Sequence, residues 1–169
     1  MTTPIVSFEG KYAFLSNFFT SPFTYQGKLY TTNEHFFQAH KAAYQNQHEA
    51  IRNAPTPGLA KRMGRDKKLI MLPGWNNDRR KVMVLGVYHK FDQNLNLRLQ
   101  LLATGDAHLE EGNTWGDYYW GTVNGVGENH LGLILMQTRS LFLSKLNEEL
   151  AAEEYPFQAA NESEDEPIN

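Results

Sequence analysis

The spacing of apolar and polar residues divides the chain into a short β-rich start followed by helices. Period-two runs predict a strand at 5–9 and a hairpin at 23–31, with Gln26-Gly27-Lys28 as its turn. Helical spacing predicts a helix from Thr32 or Asn33 to about Gln47 and a short helix at 58–64. It also predicts two helices between 76 and 103 that meet near 92–94, and a last helix at 131–150. This order of elements predicts the α+β class, a helix-rich single domain with a small N-terminal β-sheet.

Between the last two predicted helices lies a long segment, 113–129, that contains four glycines. We expect an ordered loop there, because long loops inside compact domains usually carry function. After Lys145 the chain has eight acidic residues and no Lys or Arg, whereas positions 1–147 hold 16 basic and 11 acidic residues. We therefore predict a mildly basic domain at 1–152 followed by an acidic, flexible tail at 153–169.

Composition narrows the chemistry. A chain of 169 residues, 41% of them hydrophobic, has the size and apolar content of one globular domain. It contains no cysteine, which excludes disulfides, thiolate metal sites and a cysteine nucleophile. The six histidines lack metal-ligand spacing, so we predict no protein-held metal and no cofactor. Without a signal-like start or a long apolar run, a cytoplasmic protein with no membrane partner is expected.

One polar stripe stands out on the helix predicted from residue 33. Glu34, Gln38, Lys41 and Gln45 recur at helical spacing, and aromatic residues border them. Such a stripe can line a pocket for a planar base or a sugar ring. Equally, an acidic residue in the first turn and a distant lysine can lie on an exposed helix face.

Basic and glycine-rich segments suggest a phosphate-bearing ligand. Lys61, Arg62 and Arg65 form a cluster that suits phosphate, although a solvated helix face would have the same pattern. Gly125 and Gly127 precede the last helix, where free backbone N–H groups can meet an anion, and Asn129 can cap that helix. Trp115-Gly116-Asp117 combines a flat ring, a flexible residue and a carboxylate, which would suit a binding site. Alternatively, the tryptophan only anchors a loop to the core.

Motifs in a fixed order resemble the NADAR family over about residues 8–143. They are Phe14-Leu15-Ser16-Asn17-Phe18, Glu34-His35-x-Phe37-Gln38-Ala39-x-Lys41, Ala60-Lys61-x-Met63-Gly64-Arg65, Trp115-Gly116-Asp117 and Gly125-x-Gly127-x-Asn129. The resemblance implies an N-glycosidase that cleaves a bond between a ribose carbon and a nitrogen base. It further implies as substrate either ADP-ribosylated guanine in nucleic acid or the phosphoribosylamino-pyrimidine intermediates of riboflavin synthesis.

The resemblance also implies residue roles. Lys41 would be the nucleophile that forms a Schiff base with the anomeric carbon, and Glu34 and Asp117 would manage protons. The substrate-binding residues expected are Asn17, Phe18, Gln38, Arg62, Arg65, Trp75, Trp115, Gly116, Gly125, Gly127 and Asn129.

Two other classes of function fit the sequence less well than an enzyme does. A non-catalytic module that binds ADP-ribose or NAD would not require Glu34, Lys41 and Asp117 together. A conventional nucleic-acid-binding protein is disfavoured by the acidic tail and by the lack of a basic groove-reading helix. The expected partner is therefore a nucleotide-like small molecule or an ADP-ribosylated nucleic acid.

Overall fold

The computed structural model describes residues 2–162, with side chains through residue 152. A 3-10 helix at Gly10–Leu15 precedes two strands, β1 (Phe23–Tyr25) and β2 (Lys28–Tyr30), which form an antiparallel sheet. Then follow helices α1 (Asn33–Ala39), α2 (Gln45–Arg52), α3 (Pro57–Met63), α4 (Trp75–Gln93), α5 (Leu95–Ala103) and α6 (His130–Glu162). The predicted helix-rich α+β class is confirmed.

The prediction of an N-terminal strand at 5–9 is wrong. Within residues 2–162 this segment pairs through Ile5 alone, in a single parallel bridge with Leu109. The Ile5 N–H donates to His108 O at 2.8 Å, and the Glu110 N–H donates to Ile5 O at 2.8 Å. The chain then turns at Gly10, whose φ of 54° is in the left-handed region, and enters the 3-10 helix.

The predicted hairpin forms, but its register differs by one residue. Phe23 pairs with Tyr30 and Tyr25 with Lys28, so the turn is Gln26-Gly27 and Lys28 belongs to β2. Both turn residues have positive φ, 48° and 75°. A two-residue turn of this kind matches the twist of the flanking strands, which explains why it is preferred over the predicted three-residue turn.

The helix predicted from residue 33 to about 47 is two helices. After Ala39 the chain leaves the helix and runs beside residues 70–72: the Ala43 N–H donates to Ile70 O and the Leu72 N–H donates to Lys41 O, each at 2.8 Å. These tertiary hydrogen bonds replace helical ones, and α2 starts anew at Gln45. Lys41 therefore lies just beyond α1, and Gln45 binds Glu49 instead of joining the polar stripe.

The remaining boundaries follow the sequence closely. Thr56 caps α3 by accepting a hydrogen bond from the Leu59 N–H, and α4 and α5 meet at Asn94 as predicted. Residues 113–129 form a loop with isolated bridges. Helix α6 continues beyond the predicted end at residue 150 to Glu162. The predicted tail begins in this stretch, and its last residues, 163–169, lie outside the described residues.

Helix α1 is at the centre of the molecule. All seven of its residues are buried, and it packs against α2, α3 and α4. Phe37 belongs to the larger core cluster, which includes Phe91 and Leu131, and Phe36 belongs to a second cluster under the hairpin. With two faces committed to these clusters, the polar Glu34 and Gln38 are left on a third face, where the cavity described next is found.

Candidate active site

A cavity of about 380 Å³ opens beside α1. Five separate stretches of the chain form its walls. They supply Ser7, Phe8, Glu9, Ser16, Asn17 and Phe18 from the N-terminal region; Glu34, Phe37, Gln38 and Lys41 from α1 and the residues after it; Lys61 and Arg65 from α3 and its end; Met83 from α4; and Glu111, Gly112, Trp115, Asp117 and Trp120 from the loop region. A volume of this order suits a small-molecule ligand.

Lys41 presents its amine in this cavity. Its Nζ donates to Gly64 O at 3.3 Å and lies 5.5 Å from the centre of the Phe37 ring. Burial lowers the pKa of Lys41 to about 8, with Glu34 opposing the shift and Arg65 and Lys61 adding to it. A lysine with a lowered pKa has a larger neutral fraction near pH 7, and the neutral amine is the nucleophilic form.

Glu34 lies in the first turn of α1 and is buried. Its Oε1 accepts a hydrogen bond from Gln38 Nε2 at 2.7 Å. Burial raises the pKa of Glu34, and the hydrogen bond from Gln38 and the positive charges of Lys61 and Lys41 only partly oppose that effect. Glu34 and Lys41 thus have pKa values shifted toward one another.

Asp117 is fixed by the loop itself. Its Oδ1 accepts the N–H groups of Tyr119 at 3.2 Å and Trp120 at 2.8 Å. Its own N–H donates to Asn113 Oδ1 at 3.0 Å. These hydrogen bonds hold the carboxyl group of Asp117 in a tight turn at the wall of the cavity.

Aromatic rings and cations flank the cavity mouth. Lys61 Nζ lies 5.3 Å from the Phe18 ring centre and 5.7 Å from the Trp115 ring centre. Trp115 is 59% exposed and Phe18 39% exposed. Beside them, Asn17 is buried and its Oδ1 accepts a hydrogen bond from Asn33 Nδ2 at 2.8 Å. Flat rings beside a positive charge are a suitable surface for a base and a phosphate.

The NADAR domain family model matches residues 7–143 of this chain, which includes every wall of the cavity. The chain belongs to the NADAR family. The N-glycosidase YbiA of Shigella sonnei is 40% identical over 129 residues, which cover 76% of this chain and 80% of that protein. The NMR structure of the Escherichia coli protein YbiA superposes with a TM-score of 0.76 at 38% identity, covering 86% of this chain and 89% of that one.

A riboflavin biosynthesis protein of Vibrio vulnificus, VVA0006, is 36% identical over 142 residues, covering 82% of this chain and 38% of that protein. The chain thus matches N-glycosidases over most of their length and a part of a longer riboflavin-related protein. By these relatives it is an N-glycosyl hydrolase.

Within this NADAR domain, several residues expected at the site lie elsewhere. Arg62, Gly116, Gly125 and Gly127 do not line the cavity. Trp75 is buried in the core against Phe37, with ring centres 5.2 Å apart.

Asn129 is buried and bridges two backbone groups rather than facing the cavity. Its Nδ2 donates to Leu109 O at 2.9 Å, and its Oδ1 accepts the Glu111 N–H at 3.1 Å.

The glycine loop presents few free amides. The N–H groups of Val126, Glu128 and Asn129 donate to backbone carbonyls of Val123, Tyr118 and Gly121. These N–H groups are therefore not free to bind an anion. Of the residues predicted to bind phosphate, Lys61 and Arg65 are the ones that line the cavity.

Glu111 is the main site residue that the sequence did not single out. Burial, followed by the negative charges of Asp117 and Glu34, raises its pKa to about 7, and Lys61 opposes the shift. It stands in the pair Glu110-Glu111, and nothing in the sequence distinguishes the two. In the structure, Glu110 bonds to the Thr122 hydroxyl, whereas Glu111 lines the cavity.

The described residues contain neither a membrane-spanning helix nor a metal-binding cluster. Across residues 2–162, no helix combines the length and the apolar character needed to cross a membrane. In that same part of the chain, no three His, Asp or Glu side chains come together as a candidate metal site.

Proposed function

We propose that this NADAR protein hydrolyses the bond between a ribose carbon and a nitrogen base through a Schiff base on Lys41. Its substrate would be ADP-ribosylated guanine in nucleic acid or a phosphoribosylamino-pyrimidine intermediate of riboflavin synthesis. Support comes above all from one observation: a buried Lys41 and a buried Glu34 share one cavity with pKa values shifted toward each other.

That mutual shift matters because the lysine must lose a proton before it attacks. The ordinary pKa values are 10.5 for lysine and 4.5 for glutamate. Transfer of a proton from the one to the other would then cost about 8 kcal/mol. Burial narrows this gap from both sides, which makes Glu34 an effective acceptor of the Lys41 proton.

The reaction then proceeds by bond exchange at the anomeric carbon. The neutral Nζ of Lys41 forms a bond to that carbon, and the bond from the carbon to the base nitrogen breaks. The base leaves with the bonding electron pair and receives a proton from a carboxylic acid, for which Asp117 is one candidate. The sugar ring opens to give the Schiff base, and water hydrolyses this to free sugar and free lysine.

Charged and aromatic groups at the mouth suit the rest of the substrate. Lys61 and Arg65 are placed to bind phosphate, and Phe18 and Trp115 offer rings for stacking. All four of these residues line the same cavity as Lys41, which supports one continuous binding surface.

The decisive experiment is turnover with two substrates. Purified protein is incubated with an oligonucleotide carrying ADP-ribosyl-guanine and, separately, with a phosphoribosylamino-pyrimidine, and the products are identified by mass spectrometry. We expect release of free ADP-ribose or of free pyrimidine base. Absence of both products from the folded protein would contradict the proposal.

Variants test the nucleophile. Lys41→Ala and the charge-preserving Lys41→Arg should each reduce turnover by at least about a thousandfold, since neither supplies a reactive amine. Lys67→Ala, an exposed lysine that does not line the cavity, is the matched control and should keep full activity. Reduction with cyanoborohydride during turnover should attach the sugar to Lys41, and a sugar attached to a different residue would reassign the nucleophile.

A further inference from the structure

Four residues with carboxyl groups line the cavity: Glu9, which is exposed, and Glu34, Asp117 and Glu111, which are less exposed and differ in their hydrogen-bond partners. Glu34 Oε1 accepts from Gln38 Nε2, and Asp117 Oδ1 accepts from two backbone N–H groups. For the carboxyl group of Glu111, no hydrogen bond to a side chain or to the backbone is found within the described part of the chain, 2–162. Of the three less exposed residues, Glu111 is thus the one whose carboxyl group remains wholly available to a ligand.

The backbone around Glu111 is nevertheless held firmly. Its N–H donates to Asn129 Oδ1 at 3.1 Å, and its carbonyl oxygen accepts the Thr122 N–H at 2.9 Å. Gly121 packs so closely that a Cβ there would lie 2.1 Å from Glu111 O. The side chain of Glu111 therefore extends into the cavity from a backbone that is fixed by these contacts, which limits the positions that its carboxyl group can take.

We propose that Glu111 is the acid that protonates the departing base, and that Asn129 positions it. This assignment rests on the proposed function. The O–H of Glu111 gives its proton to a nitrogen or carbonyl oxygen of the base as the bond to the anomeric carbon breaks. Hydrolysis of the Schiff base by water releases a proton to solvent, and Glu111, left as a carboxylate, regains a proton from solvent before the next turnover.

Local electrostatics keep the required proton in place. Burial and the facing carboxyl groups of Asp117, from the same loop, and Glu34, from α1, raise the pKa of Glu111 to about 7, against the opposing charge of Lys61 from α3. A carboxylic acid with that pKa remains partly protonated near neutral pH, whereas an ordinary glutamate would be ionised.

A pair of substrates separates protonation from the other steps. The first is the N-glycoside on which the protein is found to act. The second is 4-nitrophenyl β-ribofuranoside 5-phosphate, whose nitrophenolate leaves without a proton. We expect Glu111→Gln to lower kcat on the N-glycoside by about 10²- to 10⁴-fold and to change kcat on the nitrophenyl substrate by less than about threefold.

The controls use residues beside Glu111 and at the nucleophile. Glu110→Gln changes the neighbouring carboxyl, which bonds to Thr122 outside the cavity, and should leave both rates unchanged. Lys41→Arg should abolish both reactions. If the wild-type protein cleaves neither substrate, the proposed function is contradicted. If Lys41→Arg is inactive but Glu111→Gln keeps full N-glycosidase activity, only the role of Glu111 is overturned. Equal loss on the two substrates would also overturn it.

The wild-type protein provides a second test that needs no variant. On the N-glycoside, the rate should reach a maximum between about pH 7 and pH 8 and decline at higher pH, because Lys41 must be neutral while Glu111 must be protonated. On the nitrophenyl substrate this alkaline decline should be missing, and only the rise caused by deprotonation of Lys41 near pH 8 should remain. An alkaline decline of the same midpoint on both substrates would contradict the assignment.

Discussion

Trp115 is the most exposed of the aromatic residues at the cavity mouth, which makes it a direct test of substrate stacking. Truncation in Trp115→Ala removes a ring that lines the cavity and is placed to stack on a substrate, but it removes none of the groups proposed to react. We expect KM to rise about 5- to 10-fold with kcat within about twofold, at the lower end of what stacking on a base contributes. Steady-state kinetics measure both constants.

The matched control for Trp115 is Tyr118→Ala, which removes an exposed ring of the same loop that does not line the cavity. Its KM should stay at the wild-type value. A loss of kcat in Trp115→Ala without a change in KM would mean that the ring acts on the chemical step instead.

Among single residues, the sequence singled out Lys41, the proposed nucleophile, but not Glu111, the proposed acid. Glu34 and Gln38 lie on one face of α1, and Lys41 follows just beyond the helix end, so residues that are close in sequence bring all three to the cavity. Glu111 lies on an irregular segment whose direction is set by Asn129 and Gly121, residues that are distant in the sequence. No local pattern encodes such a contact.

At the scale of elements, the contact between α1 and α4 depends on Gly86. A Cβ on Gly86 would lie 1.9 Å from Asn33 Oδ1 and 2.7 Å from Phe36 Cδ1, and both side chains are buried in α1. We therefore expect Gly86→Ala to lower the free energy of unfolding by about 1–3 kcal/mol, the usual cost of overpacking. Chemical denaturation followed by circular dichroism measures it.

Gly58→Ala is the control for Gly86, because a Cβ there meets no atom closer than 4.0 Å and the residue lies in a helix. Alanine favours helix more than glycine does, so this variant should be as stable as the wild type or slightly more stable. Equal stability of Gly86→Ala and the wild type would show that α4 can shift outward without cost.

The elements were predicted best where local signals act alone. The short helix predicted at 58–64 matches α3, and the junction predicted near residues 92–94 matches the boundary between α4 and α5. The break between α1 and α2 was missed because the hydrogen bonds that cause it come from residues 70–72, about 30 positions later. The register of the hairpin was missed for a different reason: two consecutive positive φ values at Gln26 and Gly27 set it, and Gln26 does not signal one.

At the scale of the whole molecule, Lys90 is a lysine buried in the interior. The residue is 1% exposed, and its Nζ donates to Ser16 O at 2.8 Å between the rings of Phe19 and Phe91. Burial lowers the pKa of Lys90 to about 7 from its ordinary 10.5. Between these values the unfolded chain binds more protons than the folded one, so this residue makes stability rise with pH.

The corresponding variant is Lys90→Met, whose unbranched side chain is one atom shorter than that of lysine and carries no charge. Relative to this variant, the wild type should gain up to about 1.4 kcal/mol in free energy of unfolding per pH unit between pH 7 and 10. Urea denaturation of both proteins at several pH values measures the difference, in which the contribution of Lys41 cancels. Parallel stability curves would mean that Lys90 keeps an ordinary pKa in the folded protein.

The dispersal of the cavity walls along the chain has a consequence for synthesis. Lys41 is made early, yet Glu111, Asp117 and Trp120 come much later, and Asn129 must then pack against Glu111. A growing chain on the ribosome therefore carries Lys41 for about half of its synthesis without an assembled pocket around it. Catalytic competence begins only when the last part of the domain has emerged and closed the site.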